Sequence, residues 1–326
     1  MLEPSYLALY HSGELKRRAD VMEARLESCE ICPRNCRVSR LQGEMGFCHS
    51  GLLPIVDTVC QHLGEEPPIS GTKGSGTVFF SNCNLRCVYC QNHQISQAYR
   101  KKRPDELEPV ALAERLLELQ ARGCHNINFV SPSHYAPQMV RAIGAAGRRG
   151  LRVPIVYNSN GYDALEVVRL LDGIIDIYLP DLKYGDDAAA QRYSRVRAYV
   201  GHARAAVAEM WRQVGPLALD ADGLGRRGMI VRHLVLPNGL ADSEASLAWL
   251  REACGPDVTL SLMAQYYPAH KAAREALLSR PIHPREYARV IECAQRLGFH
   301  DLLIQNEHLA PEFYRPDFER AHPFEG

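Results

Sequence analysis

The stretch VPIVYNSNGYDALEVVRLLDGIIDIYL (residues 153–179) decides the fold, because it has the pattern of one complete strand–helix–strand unit. The runs VPIVY (153–157) and IIDIYL (174–179) have the length and β-branched composition of buried strands. Between them apolar residues recur at spacings of three and four, with Asp163 where an N-cap belongs and Gly173 where a helix ends. The intervening helix carries the chain back to restart a strand, so the two strands are predicted to pair in parallel.

Five further apolar runs repeat this scheme along the chain. They are TVFFS (77–81), NINFV (126–130), MIVRHLVL (229–236), VTLSLM (258–263) and, near the end, DLLIQ (301–305). Six strand–helix units and a seventh strand are fewer than the eight units of a closed barrel. The sequence therefore predicts an α/β fold built as a partial, open (β/α)6 barrel.

The regions outside these units predict the domain organisation. Residues 1–75 are rich in Cys, Gly and Pro after an opening helix and form a Cys-rich N-terminal extension and lead-in, whereas residues 76–326 form the barrel with a C-terminal wrap. The segment GEEPPISGTKGSG (64–76) is predicted to be a turn-rich connector across the mouth of the barrel, neither helix nor strand. Residues 186–228 lack a clear period, which predicts a helix with an irregular insertion.

The overall composition limits the classes of function. Lys plus Arg and Asp plus Glu both number 38, so the net charge is zero and gives no global attraction to nucleic acid or membrane. No run approaches the ~18 apolar residues of a membrane helix, and the first residues are too charged for a secretory signal. These features predict a cytoplasmic protein with no nucleic-acid or membrane partner. Seven of its eleven cysteines lie in two tight groups, which indicates metal sites rather than disulfides.

The first of these groups is a loop directly after the first predicted barrel strand. Cys83, Cys87 and Cys90 have the spacing C-x3-C-x2-C, and loops at the carboxyl ends of parallel strands form the active face of such folds. Zinc needs a fourth ligand, which His93 offers, and the protein would then be a zinc-organised binding module. An iron–sulfur cube instead takes one cysteine per iron, so three cysteines leave one iron open.

The loop resembles the signature of radical S-adenosylmethionine (SAM) enzymes, with the aromatic Tyr89 before the last cysteine. The resemblance implies a [4Fe–4S] cluster on the three cysteines, whose fourth iron binds SAM. It also implies reductive cleavage of SAM to a 5′-deoxyadenosyl radical, which abstracts hydrogen from a substrate. A partial six-unit barrel is the fold of that superfamily. Because the cluster must be reduced, an electron donor such as flavodoxin or ferredoxin is an implied partner.

A wider stretch is similar to a narrower group, the enzymes like pyruvate formate-lyase activating enzyme. The similar blocks are HLGEEPPISGTKGSGTVFFSNCNLRCVYCQN (62–92), NINFVSPSHYAPQ (126–138), IVYNSNGYDALEVVRLLDGIIDIYLPDLKY (155–184) and VRHLVLPNG (231–239). This resemblance implies that a glycyl-radical enzyme or another peptide is the substrate, and a small molecule remains the alternative. It leaves the substrate's identity and any catalytic group beyond the cluster open.

The same resemblance implies a set of SAM-binding residues. Tyr89 is expected beside the adenine, Arg232 at the carboxylate and Gln265 near the ribose. Activases carry Gly-Gly-Glu at the end of the second strand, where this chain has SPSHY (131–135), so Ser131, Ser133 and His134 are candidates to replace it. The other expected SAM-binding residues are Asn92, Asn158, Ser159, Asp181 and Lys183.

The second cysteine group lies in CEICPRNCRVSRLQGEMGFC (29–48). Its members are Cys29, Cys32, Cys36 and Cys48, spaced C-x2-C-x3-C-x11-C. Four thiolates are enough to close a metal site, and both structural zinc and a second [4Fe–4S] cluster fit this spacing. A metal would also fold a segment that has little apolar core of its own.

Overall fold

The computed structural model describes residues 3–97, 106–305, 315–320 and 323–324. Within these residues one sheet has nine strands: β1 Val56–His62, β2 Ser75–Phe80, β3 Ile127–Val130, β4 Ile155–Ser159, β5 Ile177–Pro180, β6 Ala218–Leu219, β7 Gly225–Leu234, β8 Thr259–Met263 and β9 Leu302–Ile304. Their order across the sheet is β1-β2-β3-β4-β5-β7-β8-β9, and β6 pairs with β7 outside this order.

Every neighbouring pair from β2 to β9 is parallel, whereas β1 runs antiparallel to β2 at the edge. In the described residues no pairing joins β9 back to β1, so the sheet does not close. The predicted α/β fold with an open, partial barrel is thus confirmed, and the run DLLIQ supplies its seventh parallel strand. Strand β1 was not predicted.

Helices form a layer against this sheet. Their bounds are α1 Tyr6–His11, α2 Glu14–Ala24, α3 Pro67–Ser70, α4 His93–Ser96, α5 Pro109–Ala121, α6 Ala136–Arg148, α7 Leu165–Leu170, α8 Asp187–Ser194, α9 Tyr199–Val214, α10 Ser243–Cys254 and α11 Pro284–Arg296. Within this layer α5 contacts α6, and α10 contacts α11. None of the described helices combines the length and apolarity that a membrane crossing requires.

Local chemistry explains where the helices begin and end. Helix α5 begins at Pro109, whose fixed φ suits the first turn, and the chain leaves it through Gly123 at φ 87°. The prediction that Asp163 caps α7 is wrong, because Ala164 occupies that position. Asp163 is buried and accepts hydrogen bonds from Tyr157 and Ser159 instead.

The N-terminal helices pack against the outside of the barrel. Helices α1 and α2 contact α6, and Tyr6 and Leu7 are buried in the main core. Ser5 donates two hydrogen bonds, from its backbone N and its Oγ, to the buried carboxylate of Asp176. The same carboxylate accepts from the backbone N of Ile155, so it links the N-terminal segment to the start of β4.

The connector between β1 and β2 differs from its prediction. His62 pairs with Ser75 at the start of β2, so residues 63–74 run at the amino-terminal end of the parallel strands, not across the carboxyl-terminal mouth. The connector also contains a short helix, α3. The reason is long-range, because the unpredicted hairpin of β1 with β2 fixes where this segment lies.

The C-terminal wrap is described in part. Residues 306–314, 321–322 and 325–326 lie outside the described residues. Among those described, the rings of Phe318 and Phe324 contact Phe79 of β2, with centroids 5.2 and 5.3 Å away.

Candidate functional site

The three cysteines of the loop follow β2 at the carboxyl end of the parallel strands. Each sulfur has a polar neighbour that the sequence did not reveal: Cys83 with Asn160 Nδ2 at 3.4 Å, Cys87 with Ser194 Oγ at 3.0 Å, and Cys90 with Ser96 Oγ at 3.2 Å. Burial raises the pKa of all three thiols, that of Cys83 to about 12 and that of Cys90 to about 11. A bound metal deprotonates such thiols outright, and hydrogen bonds to the sulfurs then tune its potential.

The loop borders a cavity of about 740 Å³, within the size range of small-molecule sites, about 300–1,000 Å³. The parallel strands end around this cavity, so side chains far apart in the sequence meet there. Eleven of the predicted site residues line it: Cys83, Cys87, Tyr89, Cys90, Asn92, Ser131, Asn158, Asp181, Lys183, Arg232 and Gln265.

Two predicted SAM ligands, Ser133 and Ser159, are not among the described residues that line the cavity. Both are buried, and the hydroxyl of Ser159 donates to Asp163 rather than facing the cavity. Adjacent residues of a strand point to opposite faces, so Asn158 and Ser159 cannot both face one cavity. His134 is also buried, with Nε2 3.0 Å from the carbonyl of Ser81, and burial lowers its pKa to about 3. It is a neutral core histidine.

Ser131 directly follows β3, at its carboxyl end. Its φ is 52°, the left-handed region that favours glycine, and its backbone N donates to the carbonyl of Asn158 at 2.7 Å. Strained backbone of this kind persists where the surrounding structure fixes it, often at ligand sites.

An ion pair lies at the next strand end. Lys183 Nζ is 2.5 Å from Asp181 Oδ2, and both side chains are mostly buried. Burial alone would lower the pKa of Lys183, but Asp181 and the nearby thiols of Cys87 and Cys90 together raise it. Lys183 is therefore a fixed positive charge beside the cysteine loop.

Arg232 does not stand free in the cavity. Its guanidinium donates to Glu66 from Nε at 2.7 Å and from Nη2 at 2.5 Å, and Nη2 also donates to Glu65. Burial alone would raise the pKa of Glu66, but the charge and hydrogen bonds of Arg232 lower it. The two carboxylates come from the connector at residues 63–74, and Asn128 of β3 donates to Glu65 at 2.9 Å. A Glu65–Glu66–Arg232 cluster thus lies inside the open barrel, and sequence reasoning missed its two acids.

Aromatic and amide side chains complete the walls. The hydroxyl of Tyr89 donates to Tyr184 at 2.7 Å, and Tyr184 is 2.7 Å from Ser194, which donates to Cys87. Directly after the last cysteine of the loop, Gln91 Nε2 donates to the backbone carbonyl of Gln265 at 3.0 Å. The C-terminal wrap contributes Pro316 and Phe324 to the lining.

The donor set fits the cluster that the sequence implies. In the described part of the chain no three His, Cys, Asp or Glu side chains come close enough to hold one metal ion. A [4Fe–4S] cube makes a different demand, because each cysteine binds a different iron. His93, the fourth ligand of the zinc alternative, has Nδ1 3.2 Å from the carbonyl of Cys90 and stacks on His270 with centroids 4.8 Å apart.

The second cysteine group lies in the N-terminal segment before β1. Cys29, Cys32 and Cys48 are buried and Cys36 is half-buried. Burial raises the pKa of Cys32, and the nearby thiols of Cys48, Cys29 and Cys36 raise it further. Within the described residues these four side chains do not form a group that could hold one metal ion.

The sequence has relatives among known proteins. An uncharacterized protein of Methanocaldococcus jannaschii, MJ0674, is 28% identical over 285 residues, which are 86% of this chain and 78% of the relative. MJ0808 of the same organism is 35% identical over 181 residues, 49% of this chain and 50% of its own length.

Solved structures with similar backbones include maturases of [FeFe]-hydrogenase. One HydG structure is 10% identical with a TM-score of 0.47 over 69% of this chain, and HydG from Carboxydothermus hydrogenoformans is 14% identical with a TM-score of 0.48 over 70%. The chain spans about half the length of these two proteins, 50% and 52%. TYW1 with a lysine-pyruvate adduct is 14% identical with a TM-score of 0.46, over 71% of this chain and 76% of its own.

A family model also matches the part of the chain that carries the loop. The Radical SAM superfamily model matches residues 77–216, which run from β2, through the three cysteines, to the end of α9. Over residues 77–216 the chain is therefore similar to the radical SAM superfamily, and this part includes the cysteine loop at the carboxyl end of the sheet.

Proposed function

We propose that the protein binds a [4Fe–4S] cluster at Cys83, Cys87 and Cys90 and uses SAM to abstract hydrogen from a substrate held in the cavity. The observation that supports this most directly is the set of three cysteine sulfurs, of buried Cys87 and half-buried Cys83 and Cys90, each with a polar neighbour, at the rim of a cavity of about 740 Å³. When bound, the reduced cluster and SAM supply a 5′-deoxyadenosyl radical. The chain itself positions the substrate and excludes water.

The polar side chains around the loop have separate tasks in this proposal. Asn160, Ser194 and Ser96 donate to the sulfurs and set the cluster's potential. Lys183 adds a positive charge beside them, while Asn158 and Ser131 offer polar groups at the strand ends. Reduction requires a partner, for which we propose flavodoxin or ferredoxin in the reducing cytoplasm, where the eleven free thiols remain reduced.

A narrower proposal concerns the substrate. Resemblance of the blocks at 62–92 and 155–184 to pyruvate formate-lyase activating enzymes supports transfer of the radical to a glycine of a partner enzyme. The strand end SPSHY replaces the activase Gly-Gly-Glu, and two of its polar side chains, Ser133 and His134, are buried away from the cavity. Mixing the reduced protein and SAM with a glycyl-radical enzyme tests this proposal, because success gives the EPR doublet of a glycyl radical.

The test of the main proposal is the loss of one cluster ligand. The protein and a Cys87→Ala variant are purified without oxygen, supplied with iron and sulfide, reduced, and assayed for 5′-deoxyadenosine. We expect the wild type to release it and the variant to release none. Cys254→Ala is the matched control, since Cys254 is a buried cysteine at the end of α10. Cleavage by the Cys87→Ala variant at the wild-type rate contradicts the assignment.

A further inference from the structure

Four arginines lie near the cysteine loop but are not among the described residues that line the cavity. Arg34 comes from the N-terminal extension, and Arg86 lies in the loop itself, directly before Cys87. Arg195 and Arg197 follow α8 in the turn that leads to α9. The latter two are exposed, while Arg34 and Arg86 are half-buried. We call these four side chains the arginine face.

Direct contacts bring the three segments of this face together. The guanidinium groups of Arg34 and Arg86 lie 3.6 and 5.1 Å from the centroid of the Phe47 ring. Arg86 Nη2 also donates to the carbonyl of Phe47 at 2.7 Å. The backbone N of Arg86 donates to the carbonyl of Ser194, the last residue of α8, at 3.1 Å. Arg34 is also 5.6 Å from the ring of Tyr162, which connects it to the turn after α8.

The turn after α8 holds two of the arginines at the surface. Arg195 and Ala198 have positive φ, 53° and 50°, the left-handed region that favours glycine. Val196 is fully buried between the exposed Arg195 and Arg197. The hydroxyl of Tyr162 donates to the carbonyl of Arg197 at 3.2 Å. Because strained backbone persists only where the surrounding structure fixes it, this turn is a fixed support for two exposed positive charges.

The charges of the arginine face are not neutralised by the protein itself. In the described part of the chain none of its four arginines forms an ion pair with Asp or Glu, although two flanking arginines do. Arg37 pairs with Glu30 at 3.3 Å, and Arg192 pairs with Glu275 at 3.7 Å. Asp187, an acid of α8, accepts from a backbone N–H of α9 instead. A local excess of positive charge on a protein of zero net charge attracts an acidic partner.

The arginine face also lies close to the proposed cluster. Ser194 is buried, with Oγ 3.0 Å from Cys87 Sγ, and the next residue, Arg195, is exposed. Only a thin layer of protein therefore separates this cysteine from the surface. Since the arginines do not line the cavity, a partner bound to them approaches the cysteine loop without blocking the place proposed for SAM and substrate.

We propose that the arginine face binds a small acidic electron-carrier protein, which reduces the cluster proposed at Cys83, Cys87 and Cys90. One electron leaves the redox group of the carrier and enters the oxidised cluster, and no bond forms or breaks. Opposite charges steer and orient such an encounter, so the redox group of the carrier meets the thin layer of protein over Cys87. Electron delivery rests on the proposed function, whereas binding of the carrier does not require a cluster.

The first test measures binding alone. An acidic flavodoxin and an acidic ferredoxin are labelled, and the full chain is titrated into each at low and at high salt while fluorescence anisotropy is recorded. We expect at least one carrier to bind at low salt and to dissociate as salt is added. Arg195→Glu combined with Arg197→Glu should weaken this binding about tenfold or more, because like charges then face each other.

The matched control makes the same change of charge at the other end of the strands. Arg122→Glu is combined with Arg148→Glu, two exposed residues where α5 and α6 end, directly ahead of β3 and β4. We expect this variant to bind the carrier like the wild type. Equal weakening in both double variants, or in neither, overturns the proposal. Binding of neither carrier, or preferential binding of a labelled single-stranded RNA at this face, overturns it as well.

The second test measures delivery of the electron. The iron- and sulfide-loaded proteins receive SAM and either the reduced carrier or, in parallel, complete reduction beforehand with excess dithionite, and 5′-deoxyadenosine is quantified. Arg195→Glu with Arg197→Glu should lower the carrier-driven rate about tenfold at low salt and keep the yield after dithionite. An equal loss from both reductants overturns the docking role, because damage to the site then explains it. No cleavage by the wild type after dithionite refutes the proposed function, and electron delivery with it.

Discussion

Replacing Arg232 with Met tests whether the Glu65–Glu66–Arg232 cluster is the buried ion network that the structure shows. Met keeps much of the volume of the side chain but removes the charge that both carboxylates share. The side chains of all three residues are at most 14% exposed, so water cannot compensate for the loss. The substitution leaves two carboxylates unpaired inside the barrel.

Removing one partner of a buried charge pair lowers the free energy of unfolding by about 3–5 kcal/mol. The full value applies here because the side chains of this cluster are mostly buried. In a chain of this length each kcal/mol lowers the melting temperature by about 2 °C, so Arg232→Met should melt about 6–10 °C below the wild type at pH 8. The pH dependence has a defined sign. Arg232 lowers the pKa of Glu66, so the wild-type pair stabilises the fold above the ordinary pKa of Glu and loses this contribution as the pH falls.

In the variant, burial without Arg232 raises the pKa of Glu66, so the penalty is largest at high pH and shrinks as this carboxyl becomes protonated. The gap between the two proteins should therefore narrow from pH 8 to pH 5. Calorimetry under anaerobic conditions measures both melting temperatures, and adding Glu66→Gln to the variant should restore part of the loss. The control is Arg212→Met, because the ion pairs of Arg212 lie at the surface and their loss should leave the melting temperature nearly unchanged. A variant that melts within 2 °C of the wild type, about 1 kcal/mol, at pH 8 refutes the reasoning.

Two further predictions concern single hydrogen-bonding groups. Ser194→Ala removes the hydrogen-bond donor to Cys87 and should lower the reduction potential of the proposed cluster by about 20–60 mV, the one-electron equivalent of one hydrogen bond. An EPR-monitored redox titration measures this shift, with Ser246→Ala in α10 as the control that should leave the potential unchanged. An unchanged potential in Ser194→Ala contradicts the role of Ser194 as a donor to the cluster. Glu286→Gln should cost about 1 kcal/mol in urea unfolding at pH 7, because Glu286 caps the start of α11 and binds Arg280. Arg280 holds the pKa of Glu286 at about 2, so this difference should disappear as the pH falls from 4.5 towards 2, and a constant difference would argue against the cap.

The parallel strands were predictable because their signal is local. Apolar runs separated by helical spacing specify β2, β3, β4, β5, β7, β8 and β9 without reference to distant residues. Strand β1 (VDTVCQH) was not predicted, because polar residues interrupt its apolar pattern and it pairs with a strand that lies further along the chain. The predicted position of residues 63–74 was wrong for the same reason. The contacts of Glu65 and Glu66 with Arg232 were therefore not predicted either.

The candidate site shows a similar division. Loops and residues at strand ends were predicted to meet because parallel strands end at one edge, and eleven of the predicted site residues line the cavity. The direction of an individual side chain depends on register, which sequence spacing alone does not fix. Asn158 therefore faces the cavity while its neighbour Ser159 bonds Asp163 behind the wall. Ser194 and Asn160 carry no motif, so nothing in the sequence indicated that they contact the cysteine sulfurs.

The attachment of the N-terminal segment has a consequence for the order in which the chain assembles during synthesis. Arg40 bonds the carbonyl of His134, 94 residues later, and Ser5 bonds Asp176, 171 residues later. A ribosome adding about 5–20 residues per second needs roughly 5–20 s to cover the shorter of these separations. During this delay the segment with Cys29, Cys32, Cys36 and Cys48 has emerged while its docking surface does not yet exist. This segment therefore reaches its final position only after residues 94 to 171 positions further along the chain have been made.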